Sequence, residues 1–139
     1  MPEVTSIEQP RIQVLSGDQN RHPVWLLDDD ASMLKALGRL LKSEGFSVET
    51  FGEPSAFLSR VNESDCRVAI LDVWMPNMSG LEVQAHLREN SPGTRIIFIS
   101  GRDEPSARQT AMEAGAVGFL AKPFEDEVLL QLIHKAARG

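Results

Sequence analysis

The alternation of five strand-like runs with five segments of helical periodicity constrains the fold of this chain more than any other feature of its sequence. The runs lie at residues 24–27, 47–51, 68–71, 96–99 and 117–121. Short apolar strands that alternate with amphipathic helices are typical of a mainly parallel sheet covered by helices on both faces. The sequence therefore predicts an α/β fold of the doubly wound type, built from five successive βα units.

Residues with special backbone preferences support these boundaries. Met33, Leu37 and Leu41 recur at helical spacing, and Gly45 suits the end of the helix that they define. Pro54 suits the first turn of the second helix, because its fixed backbone angle is already helical. One helix is therefore predicted after each of the five strands.

The beginning of the chain has a different composition from the rest. It contains three of the eight prolines and no sustained apolar period. We predict a flexible tail over residues 1–23, with a short strand near residues 12–15. A single domain is predicted over residues 24–139, since 139 residues that are 42% hydrophobic suffice for one buried core but not for two.

Charge and cysteine content exclude several classes of protein. The net charge of −6 argues against a dedicated nucleic-acid binder, whose contact surface is basic. The single cysteine, Cys66, excludes an intramolecular disulfide and a cysteine-rich zinc site. No apolar run approaches the roughly 20 residues that span a membrane. We expect a soluble cytoplasmic protein that makes no direct contact with nucleic acid or membrane.

Charged or hydroxyl side chains follow four of the five strand-like runs. Asp28 and Asp29 follow the first run, Asp72 the third, Ser100 the fourth and Lys122 the fifth. The carboxyl ends of parallel strands meet at one edge of the sheet, where ligands bind in folds of this type. Because charges at apolar strand ends are costly to desolvate, the convergence indicates a functional site.

The chemistry of these groups suits phosphoryl transfer. Three neighbouring carboxylates repel one another unless a cation lies between them, and sparse carboxylates with retained waters suit Mg²⁺. The cation and Lys122 would neutralise phosphoryl oxygens, while the Ser100 hydroxyl would donate to another. Asp72 would be the nucleophile that becomes an acyl phosphate, and it needs no general base because a carboxylate is ionised at pH 7.

These residues and their order resemble those of a known family. The motifs are Leu27-Asp28-Asp29, Leu71-Asp72 followed by Met75-Pro76 and Gly80, Ile99-Ser100-Gly101, and Lys122-Pro123-Phe124. Together they resemble the receiver domain of bacterial two-component response regulators, the CheY-like superfamily, over about residues 24–138. The resemblance implies a flavodoxin-like (βα)₅ fold with strand order 2-1-3-4-5.

The resemblance also implies roles for the acidic residues. Asp72 would receive a phosphoryl group from a partner histidine kinase or histidine phosphotransfer protein. Asp29, Asp72 and the backbone carbonyl of Trp74 would bind Mg²⁺ or Mn²⁺ directly, and Asp28 would act largely through water. Asp30 is expected to cap the first helix instead, since acids are favoured at helix N-termini.

Four further residues are assigned by the same resemblance. Ser100 and Lys122 would contact the phosphoryl oxygens, and Ser100 replaces the threonine that is commoner in the family. Phe119 stands where the family usually has an aromatic side chain that reports activation, and it would turn inward when Ser100 moves. As a phenylalanine it lacks any hydrogen bond that a phenol would make. Trp74 and Arg102 would border the site and shield the acyl phosphate from water.

The signal is expected to leave through the face formed by the fourth helix, the fifth strand and the fifth helix. An output domain, a partner protein or a second copy of the activated chain would bind this face. The sequence leaves open whether the receiver acts alone or is the N-terminal piece of a longer regulator. We expect no enzymatic activity beyond self-phosphorylation and autodephosphorylation.

Three other interpretations compete with this one. A Mg²⁺-dependent phosphohydrolase would need an acid two residues after its nucleophile, where this chain has Trp74. A flavin-binding module would need a phosphate loop after the first strand, where Asp28, Asp29 and Asp30 would repel phosphate. A receiver-like interaction module that is not regulated by phosphorylation remains the main alternative.

Overall fold

The computed structural model describes residues 23–138 of the chain. The short strand expected near residues 12–15, and nearly all of the tail expected at residues 1–23, lie outside the described residues. The strands are β1 (Val24–Leu27), β2 (Val48–Phe51), β3 (Val68–Asp72), β4 (Arg95–Ser100) and β5 (Gly118–Ala121). The helices are α1 (Ala31–Ser43), α2 (Pro54–Val61), α3 (Gly80–Asn90), α4 (Pro105–Glu113) and α5 (Asp126–Arg138).

The five strands form one sheet in the order β2-β1-β3-β4-β5. Every neighbouring pair is parallel, and β1 pairs with β2 on one side and β3 on the other. The predicted fold class and strand order are confirmed, and the strand bounds differ from the predicted ones by at most one residue.

The core lies on both faces of this sheet. Trp25 and Leu27 pack on one face, with α2, α3 and α4, whereas Val24 and Leu26 pack on the other, with α1 and α5. This division follows from the strand geometry, which turns successive side chains to opposite faces. Because both faces are covered, β1 is buried along its whole length, as its continuous apolar run predicts.

Side-chain caps fix the starts of two helices near the carboxyl edge of the sheet. Asp30 caps α1 by accepting hydrogen bonds from the backbone N–H groups of Ser32 and Met33, at 2.9 and 3.3 Å. This confirms the role predicted for Asp30. Ser79 and Glu82 form a reciprocal capping box at the start of α3. Within residues 23–138, no helix is long and apolar enough to cross a membrane.

Gly80 brings the start of α3 close against the end of β3. Its backbone N–H donates to the Val73 carbonyl at 2.9 Å, and a Cβ at Gly80 would overlap the carbonyl oxygen of Asp72. Gly80→Ala should therefore lower the free energy of unfolding by about 1–3 kcal/mol, since the backbone must shift. Urea denaturation measures this loss. Gly93→Ala is the matched control, because its Cβ would meet no atom within 4 Å, and equal losses in both variants would contradict the argument.

Candidate functional site

An open cleft of about 380 Å³ lies at the carboxyl edge of the sheet. Its lining comprises Asp28, Asp29, Asp30, Asp72, Trp74, Gly101, Arg102 and Lys122. Asp72 is the last residue of β3, and Asp28 directly follows β1. The strand order reverses between these two strands, which is where ligands bind in doubly wound sheets.

Three carboxylates meet in this cleft. One oxygen from each of Asp28, Asp29 and Asp72 lies within 4.8 Å of the other two. Asp28 and Asp72 are buried, whereas Asp29 is exposed. Oxygen ligands of this charge and spacing fit a hard divalent cation that keeps several of its waters. The residues present therefore fit the Mg²⁺ that was predicted from the sequence.

Among residues 23–138, Lys122 provides the positive charge that lies within 4.0 Å of these acids. Its Nζ atom lies 3.1 Å from Oδ2 of Asp28 and 3.7 Å from Oδ1 of Asp72. Oδ1 of Asp28 also accepts a hydrogen bond from the backbone N–H of Asp30, at 2.9 Å. One ammonium group thus contacts two of the three carboxylates, and it pairs more closely with Asp28 than with the predicted nucleophile. The cleft keeps an excess of negative charge that a metal ion can neutralise.

The surroundings of Asp72 raise its pKa from 3.8 to about 7. Burial of the carboxyl group is the main cause, and repulsion from Asp28 adds to it. The charge of Lys122 lowers the pKa but is outweighed. Without a cation, this raised pKa favours the protonated carboxyl group, and a divalent cation would favour the carboxylate that acts as a nucleophile.

Ser100 lies at the end of β4 with its hydroxyl bound to the following loop. The hydroxyl donates to the carbonyl of Arg102 and accepts from the backbone N–H of the same residue, at 3.1 Å. Ser100 is fully buried and does not line the cleft. Ser100 therefore lies at the predicted carboxyl edge of the sheet, and its hydroxyl is hydrogen-bonded to the backbone of Arg102.

Trp74 and Arg102 form a stacked pair beside the acids. The guanidinium carbon of Arg102 lies 4.5 Å from the centroid of the Trp74 ring, within the range of a cation–π contact. Nε1 of Trp74 is buried and has no hydrogen-bond partner in the described part of the chain. Both residues line the cleft, and the contact between them was not predicted.

Phe119 lies further from the acids, on the side of β5 that faces α4. Phe119 is buried, with 6% of its surface exposed, and its ring centroid is 6.1 Å from that of Phe98. Arg108 of α4 covers the ring, with the guanidinium carbon 4.7 Å from its centroid. Sequence reasoning missed Arg108, since no motif marks it and an arginine on an amphipathic helix is usually solvated.

A family comparison agrees with these observations. The model of the response regulator receiver domain family matches residues 24–134. This range contains the ten strands and helices of the described residues, except the end of α5, and every residue that lines the cleft.

Individual response regulators are also similar to this chain in sequence or structure. Response regulator protein TodT of Pseudomonas putida is 48% identical over 115 residues, which are 83% of this chain and 51% of TodT. Transcriptional regulatory protein FixJ of Bradyrhizobium diazoefficiens is 35% identical over 115 residues, 83% of this chain and 56% of FixJ. The solution structure of the beryllofluoride-activated NtrC4 receiver domain dimer is 32% identical, with a TM-score of 0.80, and the match covers 84% of this chain and 96% of that one.

The chain spans about half the length of the curated relatives named above. Its similarity to them is therefore a similarity to part of each protein. The family match, in contrast, takes in well over half of this chain and its entire acidic cleft. The chain belongs to the response regulator receiver domain family of two-component systems.

Proposed function

We propose that this domain accepts a phosphoryl group on Asp72, in a Mg²⁺-dependent reaction, from a histidine kinase or a histidine phosphotransfer protein. The observation that carries the proposal is the convergence of Asp28, Asp29 and Asp72 within 4.8 Å, beside the ammonium group of Lys122. A nucleophilic carboxylate, a cation site and a fixed positive charge are sufficient for phosphoryl capture.

Asp29, Asp72 and the backbone carbonyl of Trp74 would hold Mg²⁺ or Mn²⁺, with Asp28 acting through water. The ion would neutralise charge on the carboxylates and on the incoming phosphoryl oxygens. An oxygen of Asp72 forms a bond to phosphorus while the bond from phosphorus to the donor's imidazole nitrogen breaks. The imidazole keeps the electron pair and takes up a proton. Lys122, already 3.7 Å from Asp72, then contacts the transferred group.

The second part of the proposal concerns the change that follows phosphorylation. The new group adds negative charge and three acceptor oxygens, which the Ser100 hydroxyl can reach only by releasing the Arg102 carbonyl. That exchange would move the β4–α4 loop. The face formed by α4, β5 and α5 would then change shape and contact an output domain, a partner protein or a second activated copy.

Several finer assignments belong to the same proposal. A receiver domain over residues 24–139, preceded by a tail over residues 1–23, is supported by the family match that begins at residue 24. A cytoplasmic location and the absence of enzymatic activity beyond phosphoryl uptake and loss agree with membership of a signalling family. Homodimerisation on activation is suggested by the NtrC4 receiver, whose activated structure is a dimer.

Phosphoryl uptake is the direct test. The protein is incubated with Mg²⁺ and acetyl phosphate, and its intact mass is compared with that of a sample containing EDTA. A gain of one phosphoryl group that requires Mg²⁺ supports the proposal. If uptake is absent and beryllofluoride with Mg²⁺ also leaves the tryptophan fluorescence unchanged, the domain is an interaction module that phosphorylation does not regulate.

The stacked pair of Trp74 and Arg102 predicts slow loss of the phosphoryl group. We propose that water reaches the acyl phosphate only when the stack opens, and an exposed cation–π contact contributes about 0.5–1 kcal/mol. Trp74→Ala should therefore shorten the phosphoryl lifetime by about two- to fivefold. Loss of mass or of radiolabel after donor removal measures this rate.

A double-mutant cycle provides the control for the stack. Arg102→Ala alone should shorten the lifetime by a similar factor, and the double variant should add little because the two side chains act as one unit. Lifetimes that stay unchanged, or effects that simply multiply, would contradict shielding by the stack.

A further inference from the structure

Arg108 joins two parts of the fold that the proposed signal must connect. Its Nη1 atom donates to the backbone carbonyl of Phe119 at 3.0 Å, and its guanidinium group lies over the Phe119 ring. Its Nη2 atom also donates to Oδ1 of Asp103 at 3.3 Å. Asp103 belongs to the β4–α4 loop and Phe119 to β5, so one side chain contacts both.

The loop end of this connection begins at Ser100. The hydroxyl of Ser100 is bound to the backbone of Arg102, and Asp103 is the next residue along the chain. A displacement of Ser100 therefore displaces the attachment point of the Asp103 carboxylate. The ion pair between Asp103 and Arg108 is half exposed, with side chains 62% and 43% accessible, so it is weak and easily rearranged.

The other end of the connection is a phenylalanine that has no polar group of its own. The Phe119 ring is buried between Phe98 and the guanidinium of Arg108. Lacking a phenol, it cannot form a hydrogen bond with the loop. In the described part of the chain, the polar contact between Asp103 and β5 passes through the side chain of Arg108.

We propose that Arg108 is a positioning residue that couples the β4–α4 loop to the location of Phe119. Movement of Ser100 shifts Asp103. The guanidinium of Arg108 then either follows the Asp103 carboxylate or loses its contact with it. In both cases the packing of the guanidinium on the Phe119 ring changes. The inference rests on the proposed function for the origin of the movement. The contacts themselves are independent of phosphorylation, so the coupling can be tested separately.

The first test uses the unphosphorylated full chain, labelled with ¹⁵N for NMR. Asp103→Asn removes one charge from the loop and should shift the amide resonances of residues 118–121. The same substitution made in an Arg108→Met background should shift them by less than about half as much, because the connection is already lost. Equal shifts in the two backgrounds would overturn the coupling.

The second test adds Mg²⁺ and beryllofluoride, a mimic of the phosphoryl group. Arg108→Met should bind the mimic within about threefold of the unsubstituted affinity, yet reduce its effect on residues 118–121 by about half or more. Arg39→Met is the matched control, since Arg39 is exposed on α1, on the opposite face of the sheet from Phe119. It should leave both quantities unchanged, and an undiminished effect in Arg108→Met would overturn the coupling.

The outcomes separate the two proposals. If the unsubstituted chain neither takes up a phosphoryl group nor responds to beryllofluoride, the proposed function fails, while the Asp103→Asn comparison still decides the coupling. If Arg108→Met does not fold, Arg108→Lys replaces it in both tests. Lysine retains the charge but lacks the planar fork that reaches Asp103 and the Phe119 carbonyl together. A full response in that folded variant would overturn the role of the guanidinium.

Discussion

Asp72→Asn is expected to abolish phosphoryl uptake completely. After incubation with Mg²⁺ and acetyl phosphate, the unsubstituted chain should gain about 80 Da, and the variant should gain nothing. The amide that replaces the carboxylate has no negative charge with which to attack phosphorus, and it removes one of three ligands from the proposed metal site. Intact-mass spectrometry measures the result without any assumption about the partner kinase.

Asp30→Asn is the matched control for this experiment. Asp30 lines the same cleft, but its carboxylate caps α1 and is not one of the three clustered acids. Asparagine is about as good an N-cap as aspartate, so the helix should be unaffected. This variant should take up a phosphoryl group normally. Uptake by Asp72→Asn, or loss of uptake in Asp30→Asn, would show that the nucleophile has been misassigned.

The fold and the acidic cleft could be predicted because both depend on backbone geometry. A continuous apolar strand must be covered on both faces, and parallel strands bring their carboxyl ends to one edge. Asp28 and Asp72 therefore had to meet once β1 and β3 were neighbours. Their meeting requires no knowledge of where any long side chain points.

The contacts of the arginines could not be predicted, because they depend on side-chain conformation and not on backbone geometry alone. Arg102 and Arg108 have long, flexible side chains, and their partners, Trp74 and Phe119, lie on other elements. Sequence periodicity places an arginine on a surface but does not choose among its rotamers. The contact of Arg102 with Trp74 and that of Arg108 with Phe119 could therefore be found only from the structure.

For two motif residues, the structure shows contacts that the sequence could not predict. Gly80 was part of the family resemblance, but its need to avoid the Asp72 carbonyl depends on the distance between α3 and β3. Ser100 was predicted to contact a phosphoryl group, which stays a prediction, and its hydroxyl binds the backbone of Arg102 in this structure. This bond joins residues two apart in the chain, and it would be the starting state of the proposed switch.

The raised pKa of Asp72 makes two properties of the metal-free domain depend on pH. In the folded chain the pKa is about 7, against 3.8 as the ordinary value. The folded state therefore binds this proton more tightly than the unfolded state does. Between these two pH values the free energy of unfolding should fall as pH rises, and above about pH 7 this contribution should level off. Thermal denaturation in EDTA should show Asp72→Asn gaining stability over the unsubstituted chain across this window.

Mg²⁺ binding should change with pH in the opposite direction, because the ion competes with the proton on Asp72. From pH 8 to pH 6 the ionised fraction of a group with a pKa of about 7 falls about tenfold, and the Mg²⁺ affinity should fall by a similar factor. Isothermal titration calorimetry in buffers of different ionisation enthalpy would detect the released proton. Asp72→Asn should bind Mg²⁺ weakly, without this pH dependence. An affinity that is constant from pH 6 to pH 8 in the unsubstituted chain would mean that Asp72 is already ionised, and that Lys122 outweighs burial and the repulsion from Asp28.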